Sequence, residues 1–251
     1  MPRSRFLVAG VALLLVAGIG AYVAYDQVLR GDSVAPLSLP SPSPEATPSD
    51  TTGSASAGTS TEPGSPGGDG DVAGTWTVSG DSQAGYRVRE QLATLSAESD
   101  AVGRTSEVSG SITLESDGTT TTLAAGSLTV DTTTITSDED RRDNRLRSEG
   151  LQTDTFPTAT FTITEPVEIP ASAIDGSATD LTLVGDLELH GVTKAVSIPA
   201  QARLVDGTIQ VAGSITFPLA DFEIVAPNVG GFIVSIADEG ALEFAVNFTK
   251  G

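Results

Sequence analysis

The 251-residue chain contains no cysteine and a single histidine, His190. Disulfide scaffolds and thiolate metal sites need cysteine, and a multi-histidine zinc or copper site needs several imidazoles, so the sequence excludes these classes. Basic residues are also few, since 13 Lys and Arg stand against 33 Asp and Glu and give a net charge of −20. Nucleic-acid-binding proteins present a basic surface to the phosphate backbone, so we expect no nucleic-acid partner.

One long apolar run lies near the N-terminus. No charged residue occurs from Phe6 to Tyr25, and Arg3 and Arg5 precede the run. About 20 apolar residues cross a bilayer as a helix, and basic flanking residues stay on the cytoplasmic side. We therefore expect residues 1–5 in the cytoplasm, a single-pass transmembrane signal anchor over residues 6–28, and a domain outside the cell membrane.

The alternative to a signal anchor is a cleaved secretory signal. Tyr22 disfavours a cut after Ala24, and Pro36 disfavours a cut after Ala35. The anchor is therefore our prediction, with cleavage left as the other interpretation.

Residues 29–73 are rich in Ser, Pro, Thr and Gly. Such a segment buries too little apolar surface to offset the entropy lost on ordering. We expect a disordered linker that acts as a stalk between the membrane and a folded domain at residues 74–251.

The domain at residues 74–251 shows repeated alternation of apolar and polar side chains. Alternation of period two gives each strand one apolar and one wet face, which favours antiparallel pairing. Turn signals such as His190-Gly191 and Asp206-Gly207 separate the runs. The sequence predicts an all-β domain of about eight antiparallel strands, either a closed barrel or a sandwich, and closure would remove exposed edges. The clearest apolar sets are Val108, Gly110, Ile112 and Leu114; Phe161 and Ile163; Leu181, Leu183, Leu187 and Leu189; Val196, Ile198, Ala200, Ala202 and Leu204; Ile209, Val211, Gly213, Ile215 and Phe217; and Leu242, Phe244, Val246 and Phe248.

Several inward positions in these sets are small: Gly110, Gly185, Ala200, Ala202 and Gly213. Small inward residues would leave an internal cavity. Glycine also marks bulges and bends that curl a sheet. The pattern alone leaves both interpretations open.

One helix is predicted between the strands. Residues 137–140 provide a cap and acidic first-turn side chains, basic residues follow, and Gly150 can end the helix. Leu146 and Leu151 are its few apolar residues. We expect the helix to lie on the barrel surface or across an opening.

Three segments together resemble the YceI family of polyisoprenoid-binding proteins. They are Thr75-Trp76-Thr77-Val78 followed by Ala84-Gly85-Tyr86-Arg87-Val88; Arg142-Asp143-Asn144-Arg145-Leu146-Arg147-Ser148 leading to Phe156-Pro157-Thr158-Ala159-Thr160-Phe161; and Leu187-Glu188-Leu189-His190-Gly191-Val192-Thr193-Lys194. The resemblance implies a lipocalin-like antiparallel β-barrel with one packed helix and a long isoprenoid or similar lipid in its apolar interior. Where many members carry a His-Ser pair, this chain has Gly80-Asp81-Ser82-Gln83, so we expect no head-group contact through that histidine.

The resemblance also implies which side chains contact the lipid, although ordinary core packing is the alternative for the aromatic ones. The expected lining residues are Trp76, Tyr86, Val88, Ile112, Leu114, Leu128, Phe161, Ile163, Leu187, Ile198, Ile215, Phe217 and Phe244. Arg142 and Arg145 are candidates for contact with a phosphate or quinone oxygen of a head group. The other interpretation is that Arg142 and Asp143 tie the helix to the barrel.

His190 is the only imidazole available for hydrolytic chemistry, and no G-x-S-x-G motif accompanies it. We expect a turn residue that is hydrogen-bonded locally. We therefore predict no enzymatic activity, no cofactor, no metal, and a bound isoprenoid-type lipid as ligand. The alternative function is a cell-envelope β-domain for protein contacts with a filled core, and the sequence names no protein partner.

Overall fold

The computed structural model describes residues 34–40, 72–92, 98–226 and 233–251. The predicted transmembrane anchor at residues 6–28 lies outside the described residues. Within the described ranges, no helix combines the length and apolar character that a membrane crossing requires.

Eleven antiparallel strands form one sheet in the described part of the chain. The strands are β1 (Gly74–Val78), β2 (Gln83–Leu92), β3 (Glu98–Thr105), β4 (Val108–Ser116), β5 (Thr121–Asp131), β6 (Thr158–Ile163), β7 (Val167–Ile169), β8 (Thr179–Leu189), β9 (Val192–Val205), β10 (Thr208–Pro218) and β11 (Ile233–Lys250).

Three pairs of these strands act as single broken strands. β1 and β2 pair with successive parts of β11. On their other side, β4 pairs with β1 and β3 pairs with β2. β6 and β7 pair with successive parts of β5. The eleven strands thus occupy eight positions in chain order, and pairing of β1 with both β4 and β11 closes the ring. The predicted eight-stranded antiparallel barrel is confirmed, and the sandwich alternative is wrong.

The strand register follows the alternation of the sequence. On β9, Ile198, Ala200 and Ala202 are buried while Ser197 and Gln201 are exposed. Successive side chains on a strand point to opposite faces, so the apolar set fills the interior and the polar set faces water. The same division holds on β8, where Leu183, Leu187 and Leu189 are buried.

The interior has two apolar clusters, one at each end of the barrel. The β1 end contains Trp76, Leu114, Ile209 and Phe248, where β1 meets the last residues of β11. The other, which we call the helix end, contains Ile135, Leu151, Leu187, Leu189, Phe217 and Phe222. Phe161 packs against both clusters, so the interior is continuous between the ends.

The helix end takes its name from α1 (Asp140–Arg145), which continues as a π-helical turn over Leu146–Gly150. Leu146 and Leu151 pack against the apolar cluster of that end. The N-cap is Glu139, which lies within the residues 137–140 that the sequence predicted to supply the cap, and its side chain accepts a hydrogen bond from the backbone N–H of Arg141. A second short helix, α2, spans Ala171–Ile174, and 3₁₀ turns span Thr132–Thr134 and Leu219–Phe222.

Residues 34–40 lie against the outside of the barrel. Leu37 and Leu39 are half-buried there, and the intervening Ser38 is exposed. These seven residues belong to the segment that we expected to be a disordered stalk, so that expectation does not hold for them.

Candidate functional site

The barrel encloses a cavity of about 260 Å³ that is lined almost entirely by apolar side chains. Its wall includes Leu114 and Phe248 of the β1 end and Leu187 and Phe217 of the helix end. The cavity therefore extends between the two clusters rather than sitting at one opening. An interior of this kind is typical of barrels that hold one small ligand.

The structure places all the predicted lining residues except Trp76 on the cavity wall. They are Tyr86, Val88, Ile112, Leu114, Leu128, Phe161, Ile163, Leu187, Ile198, Ile215, Phe217 and Phe244, and the head-group candidates Arg142 and Arg145 also lie there. The residues come together because they occupy alternate positions on neighbouring strands, and the side chains at these positions point into the barrel. Their part in binding a lipid remains a prediction.

Trp76 lies in the packed cluster of the β1 end instead of on the cavity wall. Its side chain is 4% exposed, and its indole N–H donates to the carbonyl oxygen of Val72 at 2.9 Å. The ring is too well enclosed by Leu114, Val246 and their neighbours to face an open cavity. Trp76 fills the barrel at this end.

Two of the inward glycines accommodate aromatic rings rather than leaving empty space. A Cβ at Gly185 would lie 2.7 Å from Cζ of Phe161, and a Cβ at Gly213 would lie 2.7 Å from Cζ of Phe244. Both phenylalanines line the cavity. Glycine at these two positions therefore lets the rings lie flat against the wall, which is a third reason for small residues besides cavities and bends.

The helix end of the cavity carries a polar cluster. Nη2 of Arg142 donates a hydrogen bond to Oε1 of Glu90 at 2.7 Å. Nη1 of Arg142 donates hydrogen bonds to Oδ1 of Asp138 and Oγ of Ser137. Glu90 is inward-facing on β2, only 3% exposed, and lines the cavity with Arg142 and Tyr86. A carboxylate buried this deeply requires a cationic partner, and Arg142 provides it from the helix.

Two donors in this cluster are buried without a partner. They are Nε of Arg142 and the hydroxyl of Tyr86. Burial raises the pKa of Tyr86 to about 12, so the phenol stays protonated and keeps its hydrogen for donation. Burial acts against the charge of Arg142, but the carboxylates of Glu90 and Asp138 together outweigh it and hold the pKa of the guanidinium above its ordinary value. The cluster thus offers two fixed donors at neutral pH.

Asp143 has a different role from the one expected for it together with Arg142, whereas the head-group role of Arg145 stays a prediction. Arg145 lines the cavity, and its Nη1 lies 3.7 Å from Oε2 of Glu149. The buried carboxylate of Asp143 accepts from the backbone N–H and the hydroxyl of Ser137. Asp143 therefore fastens the start of its own helix, and the tie to the barrel is made by Arg142 alone of the predicted pair.

Glu90 and Arg147 were missed by sequence reasoning. Glu90 lies two residues after Val88 and four after Tyr86 on β2, so all three side chains point to the same face. This spacing was the available signal that Glu90 points inward. Arg147 donates from Nε and Nη2 to the carbonyl oxygens of Thr133 and Ile135. That contact joins the helix to the segment after β5, and no sequence pattern marks it.

His190 lies in the tight turn between β8 and β9, as expected, with φ values of 52° for His190 and 74° for Gly191. Its hydrogen bond is not local, however. Nδ1 donates to the carbonyl oxygen of Phe222 at 3.0 Å, and its ring contacts the edge of Phe156 at a centroid distance of 4.6 Å. His190 therefore holds the β8–β9 turn against the segment that follows β10. Catalysis is not tested by these contacts, and the absence of activity stays a prediction.

In the described ranges, no three His, Asp or Glu side chains are grouped so that they would hold a metal ion.

Solved structures with the same fold support the description of the barrel. A polyisoprenoid-binding domain from Saccharophagus degradans, implicated in plant cell wall breakdown, superimposes with a TM-score of 0.54 at 18% identity. The match covers 71% of this chain and 99% of that domain. At this identity the likeness shows a shared fold.

Curated relatives are similar in sequence over part of their length. A UPF0312 protein of Shewanella baltica (strain OS185) is 34% identical over 131 residues, which cover 49% of this chain and 63% of the relative. The YceI protein of Shigella flexneri is 40% identical over 75 residues, which cover 30% of this chain and 35% of the relative. Less than two thirds of either relative is therefore matched.

The three segments that suggested the family in the sequence lie on the structure at β1 and β2, at α1 and β6, and around the β8–β9 turn. Residues 76–248, which include all but the outermost residues of the barrel, match the YceI-like domain, and the chain therefore belongs to the YceI-like family.

Proposed function

We propose that this protein binds one long-chain apolar lipid of the polyisoprenoid class inside the barrel. The chain of the lipid lies in the apolar cavity, and its polar end lies at Tyr86, Glu90 and Arg142. The observation that carries the proposal is the cavity itself, which is apolar along its length and has unpartnered donors at the helix end. The fold shared with the Saccharophagus degradans polyisoprenoid-binding domain supports the same ligand class.

The cavity wall accounts for the affinity of a hydrocarbon chain. Each methylene group that leaves water for an apolar site gains about 0.8 kcal/mol, so a chain of several isoprene units gains enough to offset its lost freedom. The wall offers few polar atoms that would lose hydration when the chain enters. The interior therefore selects for length and apolarity rather than for a particular pattern of hydrogen bonds.

The polar cluster accounts for the orientation of the ligand. Tyr86 and Arg142 each have a buried donor to satisfy, so the end group of the lipid carries an oxygen that accepts hydrogen bonds. Arg142 is already paired with Glu90 and Asp138, and Asp143 lies nearby on the same helix. These carboxylates would repel a phosphate or diphosphate, so a neutral carbonyl oxygen, as in a quinone or an amide, fits better than an anion.

The cavity disfavours the alternative of a filled β-domain for protein contacts, because such a core would leave no ligand-sized volume.

We also propose that the apolar run at residues 6–28 anchors the protein in the cell membrane with the barrel on the extracytoplasmic side. The support for this placement is the charge pattern of the N-terminus, with Arg3 and Arg5 before the uncharged run.

The direct test is mass spectrometry of an organic extract of the purified full chain. We expect one polyisoprenoid-type species in near-stoichiometric amount, with a carbonyl-bearing end group. Ile198→Glu places a carboxylate in the cavity wall and should remove the species, whereas Ser197→Glu on the outer face should retain it. Recovery of only phospholipids at random ratios, equal in both variants, would refute the proposal.

A further inference from the structure

The outer face of the barrel holds a carboxylate that is buried although it points away from the interior. Glu243 on β11 is 3% exposed and borders the cavity wall, but the side chains before and after it, Leu242 and Phe244, are the ones that pack into the interior clusters, so its own side chain points to the opposite face. An outward side chain on a barrel is normally wet. Something on the outside therefore covers Glu243.

In the described part of the chain, two arginines and residues 34–40 cover Glu243. Nη2 of Arg104 on β3 lies 2.9 Å from Oε1 of Glu243, and Nη2 of Arg87 on β2 lies 3.6 Å from the same oxygen. The second oxygen, Oε2, accepts a hydrogen bond from the backbone N–H of Leu37 at 3.2 Å. The segment thus completes the set of donors that a buried carboxylate needs.

The same arginines also bind the backbone of the segment. Arg87 donates to the carbonyl oxygen of Val34 at 2.7 Å, and Arg104 donates to that of Ala35. At the other end of the segment, Arg203 on β9 donates to the carbonyl oxygen of Pro40 at 2.6 Å. The contacts run from β3 across β2 and β11 to β9, so the segment crosses the strands instead of adding to the sheet.

The side chains of the segment match this arrangement. Leu37 and Leu39 are half-buried, and Pro36, Ser38 and Pro40 between and beside them are exposed. That is the alternation of an extended chain with one apolar face toward the barrel. Pro36 and Pro40 restrict the backbone, which lowers the entropy lost on docking, and neither has an N–H that would need a partner.

From these contacts we propose that the outer face around Glu243, Arg87, Arg104 and Arg203 is a docking site for residues 34–40 of the same chain. The site recognises an extended, proline-containing segment through its carbonyl oxygens, one N–H and two leucines. Among the described residues, attachment of the chain to the barrel therefore begins at residue 34, well before β1.

This docking changes the distance between the barrel and the N-terminal apolar run, a consequence that rests on the proposed membrane anchor. Five residues separate the end of the proposed anchor at residue 28 from Val34, and fully extended they reach about 20 Å. A free linker from residue 28 up to β1 would reach about 150 Å by the same rule. The docked segment keeps the barrel beside the bilayer and fixes which outer face is nearest to it.

The absence of cysteine makes the test simple, because spin labels can be placed at will in the full-length chain. Ser38→Cys labels the exposed side of the segment, and Ser197→Cys labels the outer face of β9. Distances between the labels are measured by pulsed electron paramagnetic resonance. We expect one narrow distribution, which becomes broad when Leu37→Ser and Leu39→Ser are added. The matched control is Val34→Ser, because the Val34 side chain is 49% exposed and only its carbonyl oxygen is used.

A broad distribution in the labelled protein without further changes, or a narrow one that survives the two leucine changes, would overturn the proposal. A narrow distance that is lost on dilution with excess unlabelled protein would mean that the segment docks on a second copy, which also overturns it. The lipid content of the double leucine variant should be unchanged. Loss of docking is thereby distinguishable from failure of the proposed lipid binding.

Discussion

Glu90 and Arg142 are 52 residues apart in the chain, yet Oε1 of Glu90 and Nη2 of Arg142 lie 2.7 Å from each other. The first belongs to the barrel wall and the second to the helix at its end. This ion pair therefore fixes the helix over the cavity and keeps Arg142 on the wall that Tyr86 also lines, with Nε of Arg142 and the hydroxyl of Tyr86 both buried without a partner.

We expect Glu90→Gln to destabilise the fold by about 3 kcal/mol, because it removes one partner of a mostly buried ion pair and leaves the other charge poorly compensated. Urea unfolding of the full chain measures the change. The matched control is Arg89→Gln on the outward face of the same strand, since Arg89 is 61% exposed and its pairing with Glu98 is worth less than about 1 kcal/mol. Equal effects of the two substitutions would show that the Glu90–Arg142 pair does not hold the helix.

We expect Gly185→Ala to lower stability by about 1–3 kcal/mol, because the new Cβ would clash with the carbonyl oxygen of Thr162 and displace the ring of Phe161. Gly80→Ala is the control, since nothing lies within 4 Å of a Cβ at that position. It should change stability by less than about 0.5 kcal/mol. Thermal unfolding followed by circular dichroism compares the two, and a tolerated alanine at 185 would contradict the packing of Phe161 over this glycine.

The pH dependence of stability should include a loss between about pH 10 and 12 that is due to Tyr86. Burial raises the pKa of Tyr86 to about 12 in the folded chain, while an unfolded tyrosine has its pKa near 10. Below pH 10 Tyr86 is protonated in both the folded and the unfolded chain, and its contribution to the free energy of unfolding is fully present. Between the two values the unfolded chain loses its proton first, so unfolding becomes easier. Denaturant unfolding of the original protein and of Tyr86→Phe at several pH values tests this, and parallel curves would contradict it.

Tyr86→Phe also tests the proposed orientation of the ligand at neutral pH. The change removes one of the two unpartnered donors and keeps the ring over Gly103. We expect the lipid to remain bound, because its chain gains most of the free energy, but to exchange about tenfold faster, as for one lost hydrogen bond of about 1.4 kcal/mol. Release of lipid into detergent micelles measures the exchange, and Val88→Ala, on the same face of β2, serves as a comparison that removes apolar contact alone.

The strands that the sequence predicted are those in which apolar residues alternate without interruption, such as β9 and β10. β3 escaped prediction because Asp100, Gly103 and Arg104 break its pattern. Each of these has a reason that appears only in the folded barrel. Asp100 pairs with Arg87, Gly103 lies under the ring of Tyr86, and Arg104 covers Glu243.

The polar end of the cavity was only half predictable for a similar reason. Arg142 was identified through the family resemblance, but its partner Glu90 lies on a strand whose alternation includes the outward charges Arg87 and Arg89.

The contacts of residues 34–40 with the barrel could not be predicted from composition. Composition gives the average tendency of a segment, and a segment this rich in Ser and Pro is expected to stay unattached. Three arginines and a buried carboxylate, which lie on strands far away in the chain, bind the segment to the barrel through hydrogen bonds.

The closure of the ring by β1 and β11 has a consequence for folding. Among the eight positions that the described strands occupy in the ring, every pairing joins neighbours along the chain except that of β11 with β1 and β2, where Trp76 meets Lys250. Contacts between distant residues pay the largest loop-closure entropy, so this seam should form last and set the folding rate. It also brings the two ends of the domain together, with the backbone N–H of Gly251 donating to Thr75 at 3.2 Å. A circular permutant that joins these ends and opens the chain at Asp206-Gly207 should therefore rebuild the same barrel with its slow step moved to the β9–β10 seam.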